Sequence, residues 1–280
     1  MSVAWWRSGR VVAGAGLIGF VAVCAVAAPL LSRHDPAEQE LLSVLLPPAW
    51  MTGGEREFLL GTDSLGRDNL ARLLFGARTA LLVAVCAAAG AALLGTILAH
   101  AAGYLGGAVD WVIGRAVDVW MSFPPVVLSL ILMVGLGGGV DTVILAIVLV
   151  DGTRFCRVLR SDVVITTRRD YVAAARLAGY SHWRTVTREV LPATWPLVIT
   201  LVSLEMGIAV VVEAILSFVG LGVGASRPSW GQMIADARQN VADAPMGLLL
   251  PMAAIFVTVA GFNLLGDGLR RSLAGVARPV

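Results

Sequence analysis

Acidic residues stand in this chain where charge is costly. Glu205 and Glu213 lie in an otherwise apolar run over 196–219, and Asp151 lies in another over 140–158. A carboxylate placed in hydrocarbon must find a partner, so such residues mark either a solute path or a structural pairing. On one helix Glu205 and Glu213 fall roughly 80° apart, so a broad face can carry both. They are candidates for an acid pair on a translocation path, able to meet a cationic group. Pairing with an arginine at a helix or subunit interface is the competing role. Asp118 with Arg115, and Asp151 with Arg154, stand at i, i+3 spacing and read as local ion pairs.

Other chemistries find no support in the spacing. There is no Gly-x-x-x-x-Gly-Lys-Ser/Thr, no Gly-x-Ser-x-Gly and no His-Glu-x-x-His, and His34, His100 and His182 are scattered. Cys24, Cys86 and Cys156 lie in or beside apolar stretches without metal-ligand spacing and read as small apolar fillers. All 21 basic residues are arginine. A lysine-dependent phosphate loop is therefore excluded, and ATP chemistry would need another chain.

The elements that must hold these acids follow from composition. Of 280 residues 58% are hydrophobic and only 14% charged, against about 25% charged in an average soluble domain. Mean hydropathy is +0.82. Uncharged runs approach the roughly 20 residues that cross a bilayer as a helix, and they do not alternate as barrel strands do. The expected fold class is an all-α polytopic membrane protein with six transmembrane helices, over 11–31, 79–102, 112–134, 140–158, 196–219 and 247–266. The first could instead be a signal peptide, since Arg7 and Arg10 precede it and Ala25-Val26-Ala27 resembles a cleavage site. Its continuation to Leu31 suits a retained span.

Charge orients the spans. Most arginines gather on one side: Arg7 and Arg10 in tail 1–10, Arg270, Arg271 and Arg278 in tail 268–280, Arg115 near the short 103–111 turn, and eight between 154 and 188. That side is expected to be cytoplasmic, with both termini inside. Segments 32–78 and 220–246 are then extracytoplasmic. Segment 32–78 is a platform whose Gly61–Asp68 stretch reads as turns, with Asp63 forming an Asx-turn. Within segment 220–246, residues 221–246, with Pro228, Trp230 and Pro245, read as a second outer gate element, with Trp230 alternatively an interfacial anchor.

The loop over 159–195 has its own design. Asp170 can cap a helix over 171–178, and Gly179 suits the left-handed residue after it. Tyr171, Ala174, Ala175 and Ala178 share a face that another surface could approach closely. Arg168, Arg169 and Arg176 could meet acids on a partner. Ser181 can cap a second piece, with Trp183, Val186 and Val190 as its stripe. Pro192 and Pro196 are expected to break it before the next span.

Ala174-Ala175, Gly179 and Leu191-Pro192 resemble the "EAA" loop of permease subunits of ATP-binding-cassette importers. The likeness extends through Gly61–Asp68, Gly103-Tyr104-Leu105-Gly106-Gly107, Ser122-Phe123-Pro124, Glu213–Gly222, Pro228-Ser229-Trp230-Gly231 and Phe262–Arg270. It covers nearly all of 55–271 and points to the C-type permeases of dipeptide, oligopeptide and nickel systems. The resemblance implies a type I importer transmembrane domain over 79–267 in a bacterial inner membrane. It further implies a B-type partner permease, two ATP-binding subunits and an extracytoplasmic solute-binding protein, with no nucleic acid. This chain would hold no cofactor or metal; ATP and magnesium would sit on the partners. The coupling loop would comprise Asp170, Tyr171, Ala173, Ala174, Ala175, Arg176, Ala178, Gly179, Leu191 and Pro192. Glu205 and Glu213 could then meet a peptide's amino terminus. The family usually has glutamate where this chain has Ala173, which removes or moves one charged contact to the ATPase. An ion-driven secondary carrier is the alternative, but no repeat between halves is visible, and six spans are few for one.

Overall fold

The computed structural model describes residues 8–224 and 227–274, with side chains through residue 272. Arg7 and Arg278, assigned above to the inner tails, lie outside the described residues. The elements in chain order are α1 (Gly9–Leu31), α2 (Asn69–His100), a π-helical turn (Ala101–Leu105), α3 (Gly107–Met121), α4 (Pro125–Leu136), α5 (Val140–Thr167), α6 (Asp170–Leu177), α7 (His182–Thr185), a second π-helical turn (Val186–Val190), α8 (Leu191–Phe218), α9 (Trp230–Ala237) and α10 (Met246–Ala274). Outside the helices, the pairing is one isolated bridge, Thr62 with Asp68, among the described residues.

Four helical runs are long and apolar enough to cross a membrane: Gly9–Leu31, Asn69–Leu105, His182–Phe218 and Met246–Ser272. The expected single helix over 112–134 is corrected. It is two helices, α3 and α4, meeting at 89°. The cause is Pro124-Pro125, which lack N–H donors and push the residue before them out of the helical region. Counted as one broken span, the pair makes five. The sixth expected crossing, 140–158, lies within α5, a 28-residue helix whose middle carries Asp151, Arg154, Arg157 and Arg160.

The core is α2 against α5 and α8, with α10 beside α8 and α1 laid along α10. Small residues permit this. Ala80, Ala84, Ala87, Ala88 and Ala91 of α2 are almost wholly buried. A Cβ on Gly95 would come within 2.8 Å of Phe155, so α2 and α5 touch there nearly backbone to side-chain root. Gly14 of α1 meets the backbone of α10 at Leu265 and Gly261 in the same way. In lipid, where apolar surface gains little by association, such close approach is what holds helices together. Phe20, Val26 and Leu30 of α1 point outward, as lipid-facing side chains do.

One end of the bundle carries segment 32–68 and α9; the other carries the elbow of α6 and α7. Segment 32–68 is a folded chain of turns. Phe58 is buried, the backbone N–H of Leu46 donates to Thr62 Oγ1 at 2.9 Å, and the Thr62 hydroxyl donates to the Ser43 carbonyl. Asp68 then caps α2 by accepting from the Leu70 N–H.

Candidate functional site

The elbow is built from local rules and one buried anchor. α6 begins after Arg169, whose backbone is extended, and its C-terminus closes at Gly179 with φ +84°. The Gly179 N–H donates to the Arg176 carbonyl at 3.0 Å, and the Tyr180 N–H to the Ala175 carbonyl at 3.1 Å. That pair of hydrogen bonds is a Schellman stop, for which glycine is favoured. The expectation for Asp170 is corrected. It is the first residue of the helix, Arg169 holds the cap position, and no side-chain cap is made. Asp170 still opposes the positive end of the helix from the first turn. Ser181 does cap α7, accepting from the Arg184 N–H at 3.3 Å.

Val172, at 0% exposure, pins α6 to the bundle and joins the cluster of Leu159, Val163 and Val190. The rest of the helix faces outward: Tyr171, Ala173, Ala174, Arg176 and Ala178 are exposed and Ala175 is half-buried. Leu177 is 90% exposed and Trp183 76%. Large apolar side chains so presented, with Arg168, Arg169 and Arg184 also exposed on the elbow, form a surface suited to another protein. Arg176, expected to reach toward a partner, instead sets its guanidinium 4.9 Å above the Tyr104 ring. Desolvation holds the Tyr171 phenol above its ordinary value, with Arg169 pulling the other way.

The expected break at Pro192 and Pro196 is also corrected. The Leu191 N–H reaches back to the Val186 carbonyl, a π-type bond that lets the chain stay helical into Pro192 in the first turn of α8. Pro196 is carried inside α8. The result is an unbroken helical run of 37 residues from His182 to Phe218. The elbow is thus continuous with the helix bearing Glu205 and Glu213.

The two acids go to different neighbours. Glu213 is 1% exposed and accepts from the Ser217 hydroxyl at 2.7 Å, with Ser229, the cap of α9, beside it. It is shut inside the α8–α9 contact. Glu205 is 5% exposed and turns toward Asp151 of α5, which Arg154 pairs at 2.6 Å. Its Oε1 is buried without a partner. Arg115 meets Asp118 at 3.1 Å as its spacing predicts.

Sequence reasoning missed the long-range ion pairs. Arg160 grips Asp110 with two nitrogens and Arg157 reaches Asp118, tying α5 to α3. At the opposite end Arg67 and Arg72 both hold Asp63, and both reach Asp236 of α9, at 2.7 Å and 2.9 Å. Asp63 makes the expected Asx-turn, accepting from the Leu65 and Arg67 N–H groups. Trp230, read as a gate element or an anchor, is 2% exposed, and its indole N–H donates to the Leu73 carbonyl at 3.0 Å. Runs of charge near Gly-rich turns are the one signal that could have pointed to these contacts.

Comparison with known proteins agrees with this architecture. The pattern of the family described as "Binding-protein-dependent transport system inner membrane component" matches residues 91–275. The chain is 37% identical over 253 residues to the di/tripeptide transport system permease protein DppC of Pseudomonas aeruginosa, covering 90% of this chain and 84% of that one. It is 35% identical over 257 residues to the nickel transport system permease protein NikC of Escherichia coli, covering 92% and 91%. The glutathione transport system permease protein GsiD of Pectobacterium atrosepticum is 36% identical over 214 residues, covering 76% and 71%.

Proposed function

The chain belongs to the binding-protein-dependent transport system inner membrane component family, and on that premise we propose that it is the C-type permease subunit of a peptide importer driven by ATP. In this reading it forms half of the translocation path. A B-type permease forms the other half, an extracytoplasmic binding protein delivers the solute, and two ATPase subunits grip residues 170–192. Both termini are cytoplasmic.

The exposed elbow carries this reading. Leu177 and Tyr171 present apolar surface on α6, which Val172 and the Arg176–Tyr104 contact hold to the bundle, and Trp183 adds to it from α7. A short helix in that position can move as a rigid body when a partner closes, and the continuous run His182–Phe218 takes the motion into the membrane. Ala173 gives the ATPase no charged contact, so grip falls to shape, to apolar surface and to Arg168, Arg169 and Arg184. Di- or oligopeptides are the substrate class favoured by the relatives named for peptides. Those named for nickel and glutathione fit a division of labour in which the binding protein selects the cargo. Glu205, whose Oε1 has no partner among the described residues, is the acid we assign to the path, able to meet a peptide's ammonium group when the helices part.

Purification in mild detergent tests the reading: an ATPase pair should follow the subunit. Replacing 171–178 with polyglycine should leave membrane insertion intact and abolish assembly or coupled uptake in vesicles; retained uptake refutes the role. Glu205→Gln should slow peptide transport, and unchanged transport of every peptide tried would remove that residue from the path.

A further inference from the structure

The elbow runs directly into α8 along the chain, whereas α2 connects to it only by way of α3, α4 and α5. A side-chain link between the foot of α2 and the elbow is Tyr104. It sits in the π-helical turn that ends α2, 9% exposed. Its hydroxyl is hydrogen-bonded to Nδ1 of His182, the first residue of α7, at 3.2 Å, and the two rings meet edge to face with centroids 5.9 Å apart. Arg176, from α6, lies over the same ring at 4.9 Å. One side chain of α2 therefore touches both halves of the elbow.

The surroundings suit a moving joint. Beside Tyr104 an apolar crevice of about 380 Å³ separates the foot of α2 from α7 and α8, lined by Ile97, Leu105, Trp183, Val186 and Leu191. Across it the polar links are Tyr104 to His182 and, one turn deeper, His100 Nε2 to the Thr194 hydroxyl at 3.3 Å. Each link lies beside a π-helical turn, Ala101–Leu105 in one helix and Val186–Val190 in the other. Such turns are rare, and inside α-helices they fall frequently at functional sites. Gly106 and Gly107, with φ of +67° and +55°, then turn the chain into α3, whose Val117 shares the core cluster of Tyr104.

We propose that Tyr104 is the positioning residue that delivers elbow motion to α2, so that α2 and α8 move together when the ATPases close. The idea rests on the importer reading of this chain. When α6 is displaced, Arg176 presses on the Tyr104 ring while His182 draws its hydroxyl, and both act on one point of α2. Without that joint the ATPases still dock on α6 and still hydrolyse ATP, but the foot of α2 follows α8 less fully and the path does not open fully.

The test uses the complete transporter with its binding protein in vesicles, measuring peptide uptake and ATP hydrolysis in the same preparation. Tyr104→Ala should assemble and hydrolyse ATP, while uptake per ATP falls by about five-fold or more, the lower range of coupling between linked sites. Tyr104→Phe, which keeps the ring under Arg176 and loses the hydroxyl, should fall between wild type and Tyr104→Ala. An unchanged ratio in Tyr104→Ala overturns the proposal. Should that variant fail to assemble, Tyr104→Phe and His182→Leu decide: a lowered ratio in either supports the joint, and wild-type ratios in both overturn it. Wild-type complex that takes up peptide without ATP would sink the importer reading itself, and this proposal with it, before any variant is compared.

Discussion

Arg72 and Asp236 stand 164 residues apart in the chain and 2.9 Å apart in the fold. Together with Arg67 and Asp63 they clamp the start of α2 to α9. Arg72 is 2% exposed, and a guanidinium buried that deeply depends on its carboxylates, since each was taken out of water to make the pair.

Removing one acid from this clamp should therefore be costly. Asp236→Ala leaves Arg72 and Arg67 with Asp63 alone, and we expect a loss of about 2 kcal/mol, the range for stranding a charged hydrogen-bonding group. A lowered thermal unfolding midpoint of the detergent-purified protein checks this; an unchanged midpoint would show that the clamp contributes nothing.

Gly76 predicts a second weakness at the same end. A Cβ there would lie 2.7 Å from Cδ1 of the buried Trp230 indole. Trp230 is fixed by its bond to the Leu73 carbonyl and cannot slide away cheaply. Gly76→Ala should destabilise by about 1–3 kcal/mol, as overpacking does, and near-ultraviolet circular dichroism should report a displaced tryptophan. Gly114, where an added Cβ meets nothing within 4 Å, is the control and should tolerate alanine.

Leu177 separates association from folding. At 90% exposure it makes almost no contribution to this chain's own packing. Leu177→Asp should leave the unfolding midpoint within about 0.5 kcal/mol of wild type, as surface changes do. Binding of the ATPase pair, measured by co-purification or surface plasmon resonance, should weaken by about ten-fold or more, as loss of an apolar anchor can cause. A variant that binds normally would move the docking surface elsewhere.

The Asp151–Glu205–Arg154 group predicts opposite signs for two substitutions. Arg154→Ala removes a half-exposed cation facing two buried carboxyl groups and should cost about 1–3 kcal/mol. Glu205→Gln removes one acid of the facing pair and leaves Asp151 with Arg154 intact, so stability should hold or rise. Thermal unfolding of both variants in the same detergent decides, and equal losses would contradict the pairing.

Gly179 gives a prediction about the elbow alone. Its φ of +84° costs any residue with a Cβ about 1–2 kcal/mol, although the space around it is open. Gly179→Ala should speed proteolysis within 170–185 and leave the remainder of the bundle as resistant as before.

What the sequence makes legible is what short-range rules control. Gly179 and Ser181 act on residues two to four positions away, so their roles as helix stop and helix cap are visible in the chain itself. The break at Pro124-Pro125 is equally local, yet a hydropathy window averages across it and gives one straight span. Pro192 misleads in the other direction: proline removes a donor, but a π-type bond from Leu191 to Val186 compensates, and that depends on five residues taken together. The partners of Glu205 and Asp236 are hidden for another reason. Which acid meets which arginine depends on how α5, α8 and α9 are rotated against their neighbours, and that is decided by contacts such as Phe155 on Gly95 and Trp230 on Gly76. Arg176 reads as a partner contact because nothing in its own segment announces the Tyr104 ring.

The unbroken run from His182 to Phe218 is roughly 55 Å long at the rise of an α-helix, nearly twice the thickness of the hydrocarbon layer. If such a beam pivots about its middle, a tilt of about 5° sweeps each tip by only ~2 Å; pivoting about one end, the far tip sweeps ~5 Å, close to one helical pitch. Where the fulcrum sits therefore decides how wide an opening a given stroke produces, and a subunit with the pivot near its foot would need only a small stroke from its engine.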